Sequence, residues 1–299
     1  MKVSESMPTY PFLQVDAFTD RPLGGNPCAI VLDADDLDAD VMQAIAREMN
    51  LSETAFVLHS SVADFGVRYF TPTEEIPLAG HPTIATTFAL VHTGRQPLSG
   101  ELTRISLELR VGPIAVDIFA AHGAVSKIVM TQKKPAFLKI HQPADVLPAF
   151  GLTEDDLLPG VPIQTVSTGT PQLMIPLRDH EALRRIQVDA RAYEHLRASA
   201  DFFSPHLFCL GGATEAGQTF ARHIVPMMED PATGSATGGM GAYLWHYGLI
   251  EQSAFIAEQG HWMNRPSQMS VEVIGSREEI AAVKVGGGAA VVLQGELTL

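Results

Sequence analysis

Glu53, His81 and Asp230 are the side chains of this sequence whose surroundings best suit proton chemistry. Glu53 stands in NLSETAFVL, after an amphipathic helical pattern and at the start of an apolar strand. A carboxyl group shielded at the mouth of such a strand has its pKa raised toward neutrality and can both remove and return a carbon-bound proton. The bland alternative is a solvated carboxylate at a strand end. His81 follows a glycine in AGHPT; an imidazole that titrates near neutral pH can pass a proton, or the residue is a satisfied core histidine. Asp230, in EDPATGS, can orient a histidine, accept a ligand N–H or act as an acid. It can equally cap a helix, as can Ser235.

AGHPT at 79–83 and TGSAT at 233–237 each place a glycine just before an apolar helical pattern. The first turn of a helix leaves amide N–H groups unpaired and carries about half a positive charge, a seat for a carboxylate or enolate oxygen. Gly80 and Gly234 either let such a ligand approach the backbone or only permit tight strand-to-helix turns. Asn26 in GGNP either binds a ligand or makes the turn. None of the histidines falls in HExxH, the two cysteines are not in CxxC spacing, and no P-loop or helix-opening GxGxxG occurs. The expectation is an enzyme with no metal and no cofactor.

These candidates sit in a duplicated frame. FTPTEEIPLAGHPTIATTFALVHTG at 70–94 returns in diverged form as IVPMMEDPATGSATGGMGAYLWHYG at 224–248, in one register 154 residues on. His81 and Ser235 occupy equivalent places in it. A shorter echo pairs GNPCAIVL at 25–32 with GTPQLMIPL from 169, offset by 144. Two copies of one domain with loops of unequal length explain both offsets, and a site between such halves would be lined twice by one motif. The pattern predicts an α+β fold of two pseudo-symmetric domains, each a mostly antiparallel sheet wrapped round a central helix. The first domain is expected over 1–120, completed by a strand from 288–299, and the second over 121–287.

The central helices are read at 82–93 and 236–247, apolar all round and each followed by glycine, with Pro82 at the first helical position. An outer amphipathic helix is expected over 36–50, with Asp36 or Asp38 as its N-cap. Strands are read at 8–17, 27–33, 54–59, 65–70, 105–110, 114–119 and 127–132. The second half gives strand-like segments at 161–166, 172–177, 206–210 and 219–225, helical patterns at 180–186 and 190–199, and a run of strands after 250.

The 299 residues suit two domains, and 46% apolar against 18% charged residues allows sizeable cores. A formal net charge of −14 with no basic run speaks against nucleic acid or an anionic membrane surface as partner. Cys28 and Cys209 read as buried thiols of a reduced compartment. MKVSESMPTYP lacks the apolar core of a secretory signal and no uncharged apolar run reaches about 18 residues, so a cytoplasmic location is expected.

GGNPCAIVLD, NLSETAFVL, RYFTPTEEIPLAGHPTIAT and EDPATGSATGG together closely resemble the phenazine-biosynthesis PhzF-like family of isomerases, in the right order and over most of the chain. The resemblance implies a diaminopimelate-epimerase-like fold with the active site in the cleft between two similar domains. It implies a cofactor-independent isomerase that moves a proton between carbons of a small carboxylate-bearing substrate, similar to dihydro-3-hydroxyanthranilate isomerase. By motif match Glu53 is the general acid/base, and His81, Asp230 and Ser235 help to bind and polarise the substrate. Asn26, Ser52, Gly80, Gly234 and Ser235 line its seat. Relatives of the same fold that racemise amino acids use two cysteines at the helix starts, where this chain has Gly80-His81 and Gly234-Ser235. An epimerase working through Glu53 and a second acid or base, and a catalytically silent binding protein of the same fold, are the alternatives. A homodimer suits such a fold, although the sequence marks no interface.

Overall fold

A helix with apolar residues on every side must be enclosed, and each half of the chain encloses one. The computed structural model describes residues 7–198 and 200–299. The first half runs through strands β1 (Thr9–Ala17) and β2 (Asn26–Val31), helix α1 (Ala39–Met49), strands β3 (Glu53–Leu58), β4 (Phe65–Phe70) and the short β5 (Glu75–Ile76) to helix α2 (Gly80–His92). Strands β6 (Leu102–Leu109), β7 (Gly112–Ala121) and β8 (Ala124–Gln132) follow. Next come β9 (Ala136–His141), α3 (Pro143–Val146), β10 (Ile163–Ser167), β11 (Pro171–Pro176), α4 (His180–Arg184), α5 (Ala190–Ala198), β12 (Ser204–Leu210) and β13 (Thr219–Val225). After β14 (Met228–Asp230) and α6 (Gly234–His246), the chain continues through β15 (Ala254–Gln259), β16 (Ser267–Gly275), β17 (Ile280–Gly287) and β18 (Ala289–Thr298). The fold class is α+β.

The chain divides into two compact units, one up to Met130 together with Gly288–Leu299, the other Thr131–Gly287. In the first, hydrogen-bonded strands lie in the order β18-β1-β2-β3-β4-β6-β7-β8, antiparallel except for β2–β3 and β4–β6. In the second the order is β9-β10-β11-β12-β13-β15-β16-β17, antiparallel except for β11–β12 and β13–β15. The two sequences of parallel and antiparallel pairings are the same. Side β5 pairs with β4, and β14 with β13.

Inside the first unit α2 packs against β1, β2, β3 and β18, and inside the second α6 packs against β10, β11, β16 and β17. Ile84, Ala85, Ala89 and Leu90 of α2 are almost wholly buried. The other face of the first sheet is covered by α1, whose Met42, Ile45 and Ala46 pack with Val31, Phe56 and Phe70. Asp38 caps α1 by accepting from the Val41 N–H, one of the two caps expected. On the second sheet α3, α4 and α5 cover Leu173, Ile175, Leu207 and Phe220.

The repeat is visible in polar contacts as well. Arg68 holds Glu75 through two hydrogen bonds of 2.8 and 2.9 Å, and Arg222 holds Glu229, each residue 154 further on, through two of 2.8 and 2.7 Å. Such paired charge-assisted bonds fix each side strand to its neighbour. The Ser60 hydroxyl donates to Glu108 of β6, and the Thr214 hydroxyl does so to Glu258 of β15.

Two sequence expectations need correction. Helix α2 starts at Gly80 and not at Pro82, and α6 starts at Gly234 and not at residue 236. Pro82 is compatible because the first-turn N–H groups have no partner within the helix, so its missing donor breaks nothing. The stops are as read: Gly94 and Gly248 follow the helices with φ of 74° and 70°. Residue 199, the last of the 190–199 helical pattern, lies outside the described residues.

A run of buried polar groups crosses β11, β12 and β13. The Ser204 hydroxyl donates to Gln172 Oε1 at 2.7 Å and lies 2.8 Å from His223 Nε2, and His223 Nδ1 is 3.4 Å from His206 Nδ1. Burial pushes His223 down to about 4, and pushes His206 well below its ordinary value. Both are neutral in the folded protein at neutral pH. The unfolded chain protonates them near 6.5, so it binds more protons than the native state at all pH values below that and above the native values. Stability is therefore complete above about pH 6.5 and falls as the pH drops, by about 1.4 kcal/mol per pH unit for each such histidine. Carboxylates held below their ordinary range, such as Glu75 beside Arg68, lose their contribution only below about pH 4.5. Urea midpoints should be level from pH 7.5 to about 6.5 and fall from there to pH 4.5, and His223→Gln should flatten the falling limb by about one proton; an unchanged slope would contradict the assignment.

Gly238 in α6 faces the Gln132 side chain so closely that a Cβ would run into Gln132 Oε1. That amide donates to the Gly234 carbonyl at 2.9 Å and accepts from Thr168. Gly238→Ala should cost about 1–3 kcal/mol through displacement of this bridge, read from urea denaturation.

Candidate active site

The sequence candidates gather in two clusters, one in each unit. In the first, the parallel register of β2 and β3 sets Cys28 opposite Glu53, which brings Asn26 and Glu53 to the same end of the sheet where α2 begins. Glu53 Oε2 lies 3.3 Å from His81 Nε2, with the two side chains 19% and 6% exposed. The Asn26 amide nitrogen is 3.1 Å from His81 Nδ1. Ser52 Oγ reaches Asn26 Oδ1 at 3.5 Å, a long contact. Gly80, the first residue of α2, precedes His81. Asn26, Ser52, Glu53, Gly80 and His81 are therefore neighbours.

The turn before Asn26 is sterically determined. Gly25 has φ of 54° and a Cβ there would run into the Ala17 carbonyl, so only glycine fits. Leu23 donates its N–H to buried Asp16 at 2.8 Å, tying the turn to β1.

The environment of His81 differs from the one expected from sequence. Burial pushes its pKa down to about 3, with the Pro27 backbone carbonyl opposing the shift. The ring is neutral at neutral pH and carries no proton to pass by titration. Asn26 Nδ2 faces Nδ1 at 3.1 Å and Glu53 Oε2 faces Nε2 at 3.3 Å, and a neutral ring carries its one proton on either nitrogen according to the tautomer. The contact is a neutral imidazole beside a carboxyl group, not an ion pair.

In the second cluster Asp230 ends β14, and Gly234 and Ser235 open α6. Neither Asp230 nor Ser235 caps the helix: Thr233 holds the N-cap position, and no side chain makes a cap bond there or at Ala79, the N-cap of α2. Helices α1 and α4 differ, since Asp38 and Asp179 cap them. Thr233 Oγ1 instead donates to Asp230 Oδ2 at 2.5 Å. Gln259 of β15 bonds to the same segment. Thr233 lies in TGSAT without being among the candidates read from sequence, and Gln259 carries no motif that would single it out, because its relation to Asp230 depends on the pairing of β13 with β15.

The thiols do not suit racemisation by paired cysteines. Cys28 and Cys209 are buried within strands β2 and β12, not at the helix starts. Burial raises Cys28 well above its ordinary value and pushes Cys209 up to about 12, so neither is a thiolate at neutral pH. Among the described residues no group of three or more His, Cys, Asp or Glu is placed to hold a metal ion. No helix among them is long and apolar enough to cross a membrane.

Comparison with known proteins identifies the family. The family model described as phenazine biosynthesis-like protein, PhzC-PhzF, matches residues 15–295. The chain belongs to that family. It is 34% identical to the trans-2,3-dihydro-3-hydroxyanthranilate isomerase of Pseudomonas chlororaphis, covering 96% of this chain and 99% of the relative. It is also 34% identical to the uncharacterized isomerase YddE of Escherichia coli O157:H7, covering 94% and 96%. The crystal structure of a PhzF-family phenazine biosynthesis protein of Bacillus anthracis matches with a TM-score of 0.88 at 31% identity, covering 98% of this chain and all of that one. As a PhzF-family member the chain is an isomerase acting on a small molecule.

The His81 assignment gives a direct expectation. Ring nitrogen NMR shifts of His81 should show one bare and one protonated nitrogen, unchanged from pH 8 to pH 5. A titration midpoint inside that range would overturn it.

Proposed function

We propose that the chain catalyses a cofactor-independent shift of a proton between carbons of a small carboxylate-bearing molecule, with Glu53 as the group that takes and returns the proton. The observation that carries this reading is the Glu53 carboxyl group held 3.3 Å from the neutral His81 ring, itself fixed by Asn26. Glu53 removes a proton from a carbon next to an unsaturated or carbonyl-bearing system, and the electron pair left behind delocalises into that system. The resulting carboxylic acid then returns the proton to a different carbon. One C–H bond breaks, another forms, and the double bond moves, with no oxidation or reduction.

His81 suits the role of a fixed neutral ring beside the Glu53 carboxyl group, one that stays uncharged while a substrate is held next to it. Gly80, at the uncapped start of α2, and Gly234 with Ser235, at that of α6, are proposed as binding groups for the substrate carboxylate. Asn26 and Ser52 are proposed to line the seat, and Asp230 to receive a substrate amino or hydroxyl group. The named activity of the Pseudomonas chlororaphis relative makes trans-2,3-dihydro-3-hydroxyanthranilate the first compound to test.

Glu53→Gln keeps the size and shape of the side chain and removes its basicity. It should leave the unfolding midpoint nearly unchanged and lower turnover of that compound by at least about 10²–10⁴-fold. Turnover of the unaltered protein in heavy water should place deuterium on a product carbon. Full activity of the Gln variant would remove Glu53 from the mechanism.

A further inference from the structure

The amide of Gln259 is entirely committed to the segment that carries Asp230. Its Nε2 donates to the Asp230 backbone carbonyl at 2.6 Å and to Thr233 Oγ1 at 3.1 Å, and its Oε1 accepts the Thr233 N–H at 3.2 Å. The reversed amide would set N–H against N–H and oxygen against a carbonyl, so only this orientation satisfies the site. With its own hydroxyl proton Thr233 reaches Asp230 Oδ2 at 2.5 Å. The order is thus Gln259 to Thr233 to the Asp230 carboxylate, each donor pointing onward. Gln259 is 1% exposed. Its own strand is locked behind it: Ser267 Oγ lies 3.0 Å from the Pro231 carbonyl and 2.9 Å from that of Gln259. Gly260 has φ of 77° and no room for a Cβ between the carbonyls of Pro231 and Arg265.

The duplicated frame shows that the fold does not require this arrangement. Register places Ile76 opposite Tyr69 where the second unit has Asp230 opposite His223, and Ala79 stands where the second unit has Thr233. In β6, Glu108 faces Gly66 as Glu258 of β15 faces Phe220, so the counterpart of Gln259 is buried Leu109. One copy builds this corner from Ile76, Ala79 and Leu109, all apolar. The other buries a glutamine and half-buries a threonine to address a carboxylate, and a buried amide is tolerated only when its hydrogen bonds are made.

We infer that Gln259 and Thr233 are positioning residues that fix the rotamer and hydrogen bonding of the Asp230 carboxylate for the reaction. This rests on the reading of Asp230 as a working group of the site. Thr233 anchors one carboxylate oxygen, and Gln259 keeps the Thr233 hydroxyl turned toward it by occupying the other side of that oxygen.

Full-length protein labelled with carboxyl-¹³C aspartate tests it. The Asp230 resonance is the one missing from Asp230→Asn. In Gln259→Leu, which installs the residue type of the first unit, the Asp230 titration midpoint should rise by about one pH unit, because the hydroxyl donor is no longer held to the charged form. Thr233→Val, which leaves β15 untouched, should shift it the same way, and it serves as the measurement if the Leu variant fails to fold. With trans-2,3-dihydro-3-hydroxyanthranilate, kcat should fall about tenfold or more in Gln259→Leu while KM changes less than about threefold, with no further loss when Asp230→Asn is already present. An unmoved Asp230 midpoint, or losses that add in the double variant, would overturn the inference. Full turnover by Asp230→Asn would instead remove Asp230 from the reaction, a separate result that the titration does not depend on.

Discussion

A helix that buries every side cannot rest on a surface, and this constraint organises the rest of the molecule. Helices α2 and α6 have no polar stripe to turn outward, so a sheet has to curl around each. The side chains along their lengths are committed to packing, which leaves the ends as the places where the helix can meet anything polar. At both starts the usual side-chain cap is missing, whereas the ordinary surface helices α1 and α4 have one. The functional candidates collect at these starts because the enclosure leaves them nowhere else to be.

Comparison of the two copies separates what the architecture demands from what chemistry added. The Arg–Glu pairs at 68/75 and 222/229 and the hydroxyl–Glu pairs at 60/108 and 214/258 occur in both units, so they belong to the scaffold. Asn26, Glu53 and His81 do not recur: strand register puts Thr170, Ser204 and Ser235 in those places. The second copy has its own addition in Asp230, Thr233 and Gln259. Ser204, at the counterpart of Glu53, has become part of the buried chain with Gln172, His223 and His206. The same backbone position thus holds a carboxyl group in one unit and an internal hydroxyl in the other.

Much of this was legible in the sequence, and the parts that were not have a common cause. Local signals placed α1 with Asp38 at its cap, set the ends of α2 and α6 at Gly94 and Gly248, and gave β4 and β13 their full extents. The starts of α2 and α6 were misjudged because proline looks like a first residue, although any first-turn position spares its missing N–H. The stretch from 133 to 160 gave no reading: β9 exposes Leu138 and Ile140, and α3 is a single turn, so neither shows a clear period. His81 was recognisable as a candidate, but its neutrality comes from burial, and its neighbour Asn26 lies 55 residues away in sequence. Gln259 reads as one polar residue in a strand until the pairing of β13 and β15 sets it against Asp230.

One strand gives the molecule an order in time. The sheet of the first unit is closed by β18, which pairs along the whole of β1, yet β18 is translated only after every residue of the second unit. A chain emerging from the ribosome therefore presents β1 with one side unpaired throughout synthesis of the 157 residues of Thr131–Gly287. The later-made unit has all its strands before the earlier one does, the reverse of the N-terminal-first sequence usual for multidomain chains. Until β18 is available, the bare edge of β1 is the surface on which a chaperone, or a neighbouring nascent chain, can act.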